Sequence, residues 1–286
     1  MNERAALYWS ALQDGDIRCE LCPRGCLIPP GKPGFCGVRE NAGGSLVCAG
    51  YGLVSAVALD PIEKKPLSLF MPGKRVLSFG GYGCNLSCPF CQNHEISADF
   101  DTRGSRRLMP QDVVRLAKQT VSEGNVGAAY TYNEPTVGFE FVYDCAALIR
   151  EAGLNNIMVT NGYIKKEPLK ELLPLIDAVN VDLKAFKEDF YNKIGGDLET
   201  VKQTIAACRK GCHIEVTTLI IPGENEDDIA ELAAWLSSVD PEIPLHLSRF
   251  FPRHKYSAAQ PTPRETIYRS AEVAGRYLKH VFTGNM

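Results

Sequence analysis

The chain has 286 residues, a formal net charge of -3, 45% hydrophobic residues and 23% charged residues. These values are ordinary for a globular protein with one large domain, or with one domain and a small appendage. The charge gives no reason to expect a nucleic acid or a membrane surface as partner. No apolar run approaches the ~20 residues of a bilayer span, and the first residues lack a signal-peptide pattern. We therefore expect a cytoplasmic protein.

Cysteine usage points to metal or redox chemistry. The chain contains eleven cysteines, which is many for a cytoplasmic protein. Structural disulfides are rare in a reducing compartment, so clustered cysteines there indicate metal binding or redox work. Seven of the eleven fall into two clusters along the sequence.

The first cysteine cluster follows an N-terminal segment, residues 1–16, whose apolar side predicts a short amphipathic helix. Its spacing is C-x2-C-x3-C-x9-C, formed by Cys19, Cys22, Cys26 and Cys36. Prolines and glycines interleave these cysteines and leave the segment little core of its own, so we expect a metal to hold it. The spacing fits a structural zinc site as well as an accessory [4Fe-4S] cluster that passes electrons or binds substrate.

Residues 45–71 alternate apolar and polar positions and predict one or two strands followed by a connector. Lys64 and Lys65 lie in this connector. They could face a substrate, but we interpret them as part of a solvated turn.

From residue 75 onward, strand patterns alternate with helical patterns, which predicts a parallel sheet with right-handed crossovers. Six such units are too few to close a (β/α)8 barrel, so we expect an open, partial (β/α)6 TIM-like barrel with its site at the carboxyl ends of the strands. We expect residues 1–74 to form an N-terminal module of four cysteines and a connector, and residues 75–286 to form the core domain. The strand patterns are 76–79, 126–132, 156–160, 178–183, 214–221 and 245–250, and the helical patterns are 110–123, 136–152, 167–174, 198–210, 225–238 and 263–278.

The second cysteine cluster follows the first of these strands. Cys84, Cys88 and Cys91 have C-x3-C-x2-C spacing. A [4Fe-4S] cluster takes four ligands, so three cysteines on one loop leave one iron open to a ligand that is not protein. The alternative is a zinc site, for which His94 is near enough in sequence to be considered as a further ligand.

Polar residues follow each later strand at the edge where a barrel keeps its chemistry. Helix caps, turns and a surface ion pair are the simpler interpretation of each one taken singly. Their recurrence at successive strand ends favours a binding site. These residues include Asn133, Glu134, Thr160, Asn161, Asp182, Lys184, Gly223 and Glu226.

The sequence resembles the radical S-adenosylmethionine (radical SAM) enzymes related to pyruvate formate-lyase activating enzyme. It is most similar to the AmmeMemoRadiSam system radical SAM enzymes. The resemblance implies that chains of this kind continue past Gly284 and Asn285 with another cysteine pair, which would form a small C-terminal metal module. The segments that carry the resemblance are residues 19–41, 60–67, 83–93, 130–135, 159–163, 181–184, 246–252 and 283–285.

The resemblance implies two cofactors, a [4Fe-4S] cluster held by Cys84, Cys88 and Cys91, and SAM bound to the open iron. It further implies that Asn133 and Glu134 stand at the usual Gly-Gly-Glu-Pro position, with Glu134 near the SAM amino group. The other implied SAM contacts are Thr160 and Asn161 near the ribose and methionine, Asp182 and Lys184 near SAM, and Ile221, Gly223 and Glu226 near the adenine. The activating enzymes carry an arginine on strand five, where this chain reads Glu215 and Val216, and this weakens the transfer of their contacts.

The activity implied is reductive cleavage of SAM to a 5′-deoxyadenosyl radical, which abstracts hydrogen from a substrate. By analogy with the activating enzymes, we expect a glycyl radical protein as substrate and an electron donor such as flavodoxin or ferredoxin. The alternatives are radical SAM modification of another peptide or a small molecule, and a non-catalytic Fe-S or zinc scaffold. Glu134, Asp182 and Lys184 weigh against the scaffold, which would have no use for them at strand ends.

Overall fold

The computed structural model describes residues 4–98, 102 and 105–286. Residues before the main sheet form short antiparallel strands around the first cysteine cluster. Two three-stranded sheets, in the orders β1-β6-β5 and β2-β3-β4, bring Cys19 opposite Trp9 and Cys48 opposite Arg39. These strands are β1 (Arg4–Ala5), β2 (Trp9–Ala11), β3 (Ile17–Cys19), β4 (Leu27–Ile28), β5 (Arg39–Asn41), β6 (Leu46–Cys48) and β7 (Leu53–Val54).

The predicted helix over residues 1–16 is wrong for the described part of that segment, residues 4–16. Strands β1 and β2 and a 3-10 turn at Gln13–Gly15 stand in its place. Tyr8 has a φ of 56°, in the left-handed region, which interrupts any helix there. The pairing of β1 with distant β6 and of β2 with neighbouring β3 supplies the backbone hydrogen bonds instead, so strand pairing overrides the local apolar pattern.

The core is one open eight-stranded sheet in the order β16-β15-β14-β13-β12-β11-β9-β8. Its strands are parallel except β8, which runs antiparallel to β9 at one edge. Strand β10 lies outside this sheet and pairs with β7. The strands are β8 (Ala56–Pro61), β9 (Arg75–Gly80), β10 (Arg106–Arg107), β11 (Asn125–Thr131), β12 (Asn155–Thr160), β13 (Ala178–Asp182), β14 (His213–Ile220), β15 (Leu245–Arg249) and β16 (Val281–Gly284).

Helices connect these strands and confirm the α/β fold with a parallel, barrel-like sheet. The six predicted helical patterns are found as α2, α3, α4, α6, α7 and α8, with 3-10 turns extending several of them. The sequence prediction did not include α5 or β16. The helices are α1 (His94–Ser97), α2 (Pro110–Gln119), α3 (Phe139–Glu151), α4 (Lys166–Leu172), α5 (Glu188–Ile194), α6 (Leu198–Gly211), α7 (Ile229–Val239) and α8 (Arg264–Ala274).

A buried ion pair joins the N-terminal strands to the barrel. Arg39 on β5 lies 3.0 Å from a carboxylate oxygen of Glu140 on α3, and both side chains are almost fully buried. The Leu7 backbone N–H also donates to Glu140, at 2.7 Å. Because removing one partner of a buried pair leaves the other charge uncompensated, this contact couples the folding of the two regions. The division at residue 74 stays a prediction, although β8 from the expected connector belongs to the main sheet.

Candidate functional site

The carboxyl ends of the parallel strands surround a cavity of about 340 Å³. Nine of the residues predicted from the sequence line it together, although they come from several separate segments. This matches the expectation that polar residues after successive strands meet at one edge of the sheet. The nine are Cys84, Cys88, Cys91, Asn133, Glu134, Thr160, Asn161, Asp182 and Lys184.

The loop that carries Cys84, Cys88 and Cys91, called the cysteine loop below, follows β9, and backbone contacts fix its path. Gly83 has a φ of +86°, and its N–H donates to the Ile96 carbonyl at 2.8 Å. The Asn133 side chain accepts from the Gly81 N–H at 2.9 Å and donates to the Tyr82 carbonyl at 2.9 Å. Asn133 therefore holds the start of the loop against the end of β11.

Burial raises the pKa of two thiols in this loop, those of Cys84 and Cys88. Burial raises the pKa of Cys84, and Glu134 and Cys88 raise it further. Burial also raises the pKa of Cys88 to about 11, although nearby Lys184 opposes the shift. Because iron takes the thiolate, binding of a cluster to this loop releases protons.

Glu134 is buried and acts as a hydrogen-bonding hub. One carboxylate oxygen accepts from the Thr136 N–H at 3.0 Å, the Thr136 hydroxyl at 2.7 Å and the Thr160 hydroxyl at 2.8 Å. The other accepts from the Asn161 N–H at 2.7 Å. Burial raises the pKa of Glu134, against the lowering effect of these donors. The predicted contact with SAM stays a prediction, and the carboxylate also caps the 3-10 turn Pro135–Gly138.

Asn161 connects β12 to the cysteine loop. Its amide nitrogen lies 3.6 Å from the Cys84 sulfur and 2.9 Å from the Asn85 side-chain oxygen. Asn85 itself is 1% exposed and donates to the Tyr163 carbonyl at 2.7 Å. Asn85 was not among the predicted site residues. Its position directly after Cys84 was the available signal.

Asp182 and Lys184 form an ion pair that faces the cavity. The Lys184 ammonium nitrogen lies 2.7 Å from Asp182, and the lysine and aspartate side chains are 17% and 31% exposed. Burial alone would lower the pKa of Lys184, but Asp182 and the Cys88 sulfur outweigh it and raise that pKa. Asp182 ends β13 and Lys184 follows two residues later. Both line the cavity, as predicted for residues on one face, and this location distinguishes them from a surface ion pair.

The interpretation of residues 64 and 65 as a solvated turn is wrong for Lys65. Its side chain is 2% exposed, lies 2.8 Å from Asp60 and lines the cavity. Its ammonium nitrogen also lies 4.5 Å from the centre of the Tyr132 ring. Lys64 remains largely exposed while also reaching the cavity rim. Asp60 on β8 is the reason, because its carboxylate pairs with the Lys65 ammonium group and holds it in the interior.

Three predicted residues are not part of the cavity wall. Ile221, Gly223 and Glu226 form a turn of their own after β14, in which the Gly223 N–H donates to Glu226 at 2.8 Å. Gly223 has a φ of +75°, and open space surrounds the position of a side chain there. Their predicted place near the adenine stays a prediction.

The four N-terminal cysteines line a second, smaller cavity next to the first. They share it with Arg24, Arg39 and Asn85. Burial raises the pKa of Cys36 to about 12 and also raises that of Cys22. The structure thus brings Cys19, Cys22, Cys26 and Cys36 together, as their spacing predicted.

Neither set of cysteines is arranged around a single ion. Within residues 4–98, 102 and 105–286, no three Cys, His, Asp or Glu side chains are placed to hold one metal ion. His94, the proposed zinc ligand, stacks on the His254 ring with 4.5 Å between centroids. The donor set on the Cys84 loop, three thiols facing a cavity beside a lysine, instead fits a larger cluster with one open position.

The fold and the cysteine loop together define a radical SAM protein. Residues 79–236 match the Radical SAM superfamily, so the chain belongs to this superfamily. It uses a [4Fe-4S] cluster and SAM, and it is an enzyme that cleaves SAM reductively. No helix in the described residues is long and apolar enough to cross a membrane.

Known proteins resemble this chain over most of its length. Uncharacterized protein MJ0808 of Methanocaldococcus jannaschii is 42% identical, over 99% of this chain and 85% of that protein. Pyruvate formate-lyase 1-activating enzyme of Escherichia coli K12 is 22% identical, over 72% of this chain and 90% of that enzyme. Among solved structures, Streptococcus suis SuiB bound to precursor peptide SuiA has a TM-score of 0.56 and 16% identity, over 72% of this chain and 47% of SuiB. This last likeness shows the fold alone.

Proposed function

We propose that Cys84, Cys88 and Cys91 hold the [4Fe-4S] cluster, and that the adjoining cavity binds SAM and the reacting group of a protein substrate. The observation that carries this proposal is the shared cavity, which brings the three thiols beside Asn161, Asp182 and Lys184. When bound, the cluster supplies the electron that breaks the sulfonium bond of SAM to give methionine and a 5′-deoxyadenosyl radical.

The residues of the chain position SAM and exclude water. Asp182 and Lys184 offer one carboxylate and one ammonium group, which are complementary to the amino and carboxylate groups of SAM. Glu134 fixes the Thr160 hydroxyl and the Asn161 backbone at the cavity wall. Because these groups are already oriented by hydrogen bonds within the protein, they lose little freedom when SAM binds.

For the substrate, we propose a backbone glycine of a protein, which would become a glycyl radical. The supporting observation is the likeness to pyruvate formate-lyase 1-activating enzyme, which extends over 90% of that enzyme. Flavodoxin or ferredoxin is the proposed class of electron donor. The cysteine loop supports a catalytic protein over a scaffold because its cavity also contains an ion pair suited to a small zwitterion.

Deuterium transfer tests the substrate class. The anaerobically reconstituted enzyme is incubated with SAM, dithionite and an extract from cells of the source organism grown on α-deuterated glycine. The extract is first separated into protein and small-molecule fractions. The proposal predicts deuterated 5′-deoxyadenosine with the protein fraction only, together with a glycyl radical signal in electron paramagnetic resonance (EPR). Deuterium from the small-molecule fraction alone, or faster cleavage without deuterium transfer, would contradict glycine as the target.

A further inference from the structure

The four N-terminal cysteines surround a cavity of about 20 Å³, a space that a single zinc ion bound to all four sulfurs would not leave. Tetrahedral zinc with Zn–S bonds of ~2.3 Å would bring the four sulfurs to within about 3.8 Å of one another. Here the sulfurs surround a cavity, and no three of these four described cysteines are placed to share one ion. The Cys84 loop has the same property. A [4Fe-4S] cluster binds one sulfur at each iron and so keeps the sulfurs apart.

A positive charge lies at this cavity, and within the described part of the chain it has no carboxylate partner. Arg24 stands between Cys22 and Cys26 in the sequence and lines the cavity. Its guanidinium donates to two backbone carbonyls, those of Asn85 at 3.2 Å and Gly195 at 2.8 Å. A [4Fe-4S] cluster with four thiolates carries net negative charge, and a nearby guanidinium lowers the cost of burying it.

The two cysteine cavities are separated by one layer of side chains. Asn85 lines the cavity of the four N-terminal cysteines and accepts from the Asn161 amide at 2.9 Å. The Asn161 amide nitrogen in turn lies 3.6 Å from the Cys84 sulfur. Two asparagine side chains therefore lie between the N-terminal cysteine cavity and the Cys84 sulfur. The Cys36 carbonyl also packs against Gly83, immediately before Cys84, where an added methyl group would lie 2.4 Å from it.

We propose that Cys19, Cys22, Cys26 and Cys36 hold a second [4Fe-4S] cluster, which relays electrons to the Cys84 cluster across Asn85 and Asn161. A reduced donor of the flavodoxin or ferredoxin class loses one electron, and the second cluster passes from the 2+ to the 1+ state. It returns to 2+ as the Cys84 cluster gains that electron, and no bond is made or broken in either step. The relay rests on the proposed function, because it needs the Cys84 cluster as acceptor.

Metal content tests the second site without relying on activity. The variant Cys84→Ala/Cys88→Ala/Cys91→Ala is reconstituted anaerobically with iron and sulfide. We expect about four irons per chain, no zinc, and an EPR signal after reduction that SAM does not change, because every iron already has a cysteine ligand. The matched variant Cys19→Ala/Cys22→Ala/Cys26→Ala should hold about four irons with a signal that SAM does change.

The wild-type protein provides the same test if a variant fails to fold. We expect about eight irons per chain, whereas about four irons with one zinc would overturn the second cluster. Zinc or no iron in the folded Cys84 variant would also overturn it. Deoxyadenosine from a protein with four irons and one zinc would leave the proposed function standing without the relay. About eight irons per chain without deoxyadenosine formation would contradict the proposed function and therefore the relay. The same result would still support the second cluster.

The relay itself is tested by comparing two reductants. Asn85→Leu removes the side-chain bridge while leaving every cysteine in place. We expect the ratio of the flavodoxin-driven rate to the dithionite-driven rate of deoxyadenosine formation to fall about tenfold, as for other groups that contact metal ligands. Asn156→Leu, an equally buried asparagine on β12 bonded to the Ala146 carbonyl, is the control and should leave the ratio unchanged. An unchanged ratio in Asn85→Leu would overturn the relay.

Discussion

Glu134 illustrates how one side chain organises the end of two strands. All four of its hydrogen bonds come from donors, two of them backbone N–H groups, on Thr136, Thr160 and Asn161. The carboxylate can satisfy four donors because it is an acceptor only. The same carboxylate that caps the 3-10 turn therefore also holds the cavity wall through Thr160 and Asn161.

Glu134→Gln should destabilise the protein. The amide nitrogen of glutamine would face a backbone N–H of Thr136 or Asn161, which leaves a buried donor unpaired at a cost of about 2 kcal/mol. We expect a lower melting temperature and weaker SAM binding, measured by thermal unfolding and equilibrium titration. Glu167→Gln, an exposed position on α4, is the control and should match the wild type. Equal stability of the two variants would contradict the hub role of Glu134.

Glu215 predicts a pH dependence of stability. Burial alone would raise its pKa, but hydrogen bonds from His213, His246 and the Ser68 and Leu69 N–H groups outweigh it and lower that pKa to about 2. Because the folded pKa lies below the unfolded value of about 4.5, the stabilisation is complete above 4.5 and is lost as the pH falls toward 2.

The measurement for Glu215 is chemical unfolding of the wild type and Glu215→Gln at a series of acidic pH values. The wild-type free energy of unfolding should decrease as the pH falls below about 4.5, and the variant should show a shallower decrease. Parallel curves for the two proteins would rule out Glu215 as the titrating group. Glu231→Gln on α7, away from these histidines, should retain the wild-type slope.

At the scale of elements, the cysteine loop depends on the N-terminal module that packs against it. Gly83 lies where the two meet, with a φ of +86° and no space for a side chain beside the Cys36 carbonyl. The barrel alone therefore does not determine the path of the loop.

Gly83→Ala tests this contact, and Gly124→Ala is the matched control. Both glycines have a left-handed φ, +86° and +89°, but an added methyl group meets the Cys36 carbonyl at Gly83 and nothing within 4 Å at Gly124. Backbone strain is therefore common to both variants. We expect the free energy of unfolding to fall by about 2 kcal/mol more in Gly83→Ala than in Gly124→Ala, because the added methyl group is overpacked. Iron content should fall only in Gly83→Ala. Equal melting temperatures and iron contents would show that the contact does not support the loop.

Elements with local signals were predictable, and elements defined by distant partners were not. The strands before Cys84 and Glu134 are short, mainly apolar segments, so the alternation of strands and helices predicted the barrel and its site edge. The helix prediction for residues 4–16 was wrong because β1 pairs with β6, whose residues, such as Cys48, lie far along the chain. The burial of Lys65 was not predicted because it depends on the Tyr132 ring, far along the chain, as well as on nearby Asp60.

At the scale of the whole molecule, the barrel and the N-terminal module form one connected structure. The buried pair of Arg39 and Glu140 and the contacts of Arg24 with Asn85 and Gly195 tie the first cysteine cluster to the barrel. The sequence identified both sets of cysteines, but the closeness of their cavities is a property of the tertiary structure. The first cysteine cavity therefore lies beside the loop that carries Cys84.

The most direct test of the account is dithionite-dependent formation of 5′-deoxyadenosine by the anaerobically reconstituted protein. The wild type should convert SAM to equal amounts of 5′-deoxyadenosine and methionine, and reduction should be required. Cys84→Ala/Cys88→Ala/Cys91→Ala should form neither, while Cys212→Ala, outside both cavities, should behave as the wild type. Deoxyadenosine from the triple variant would contradict the assignment of the Cys84 loop as the site of SAM cleavage.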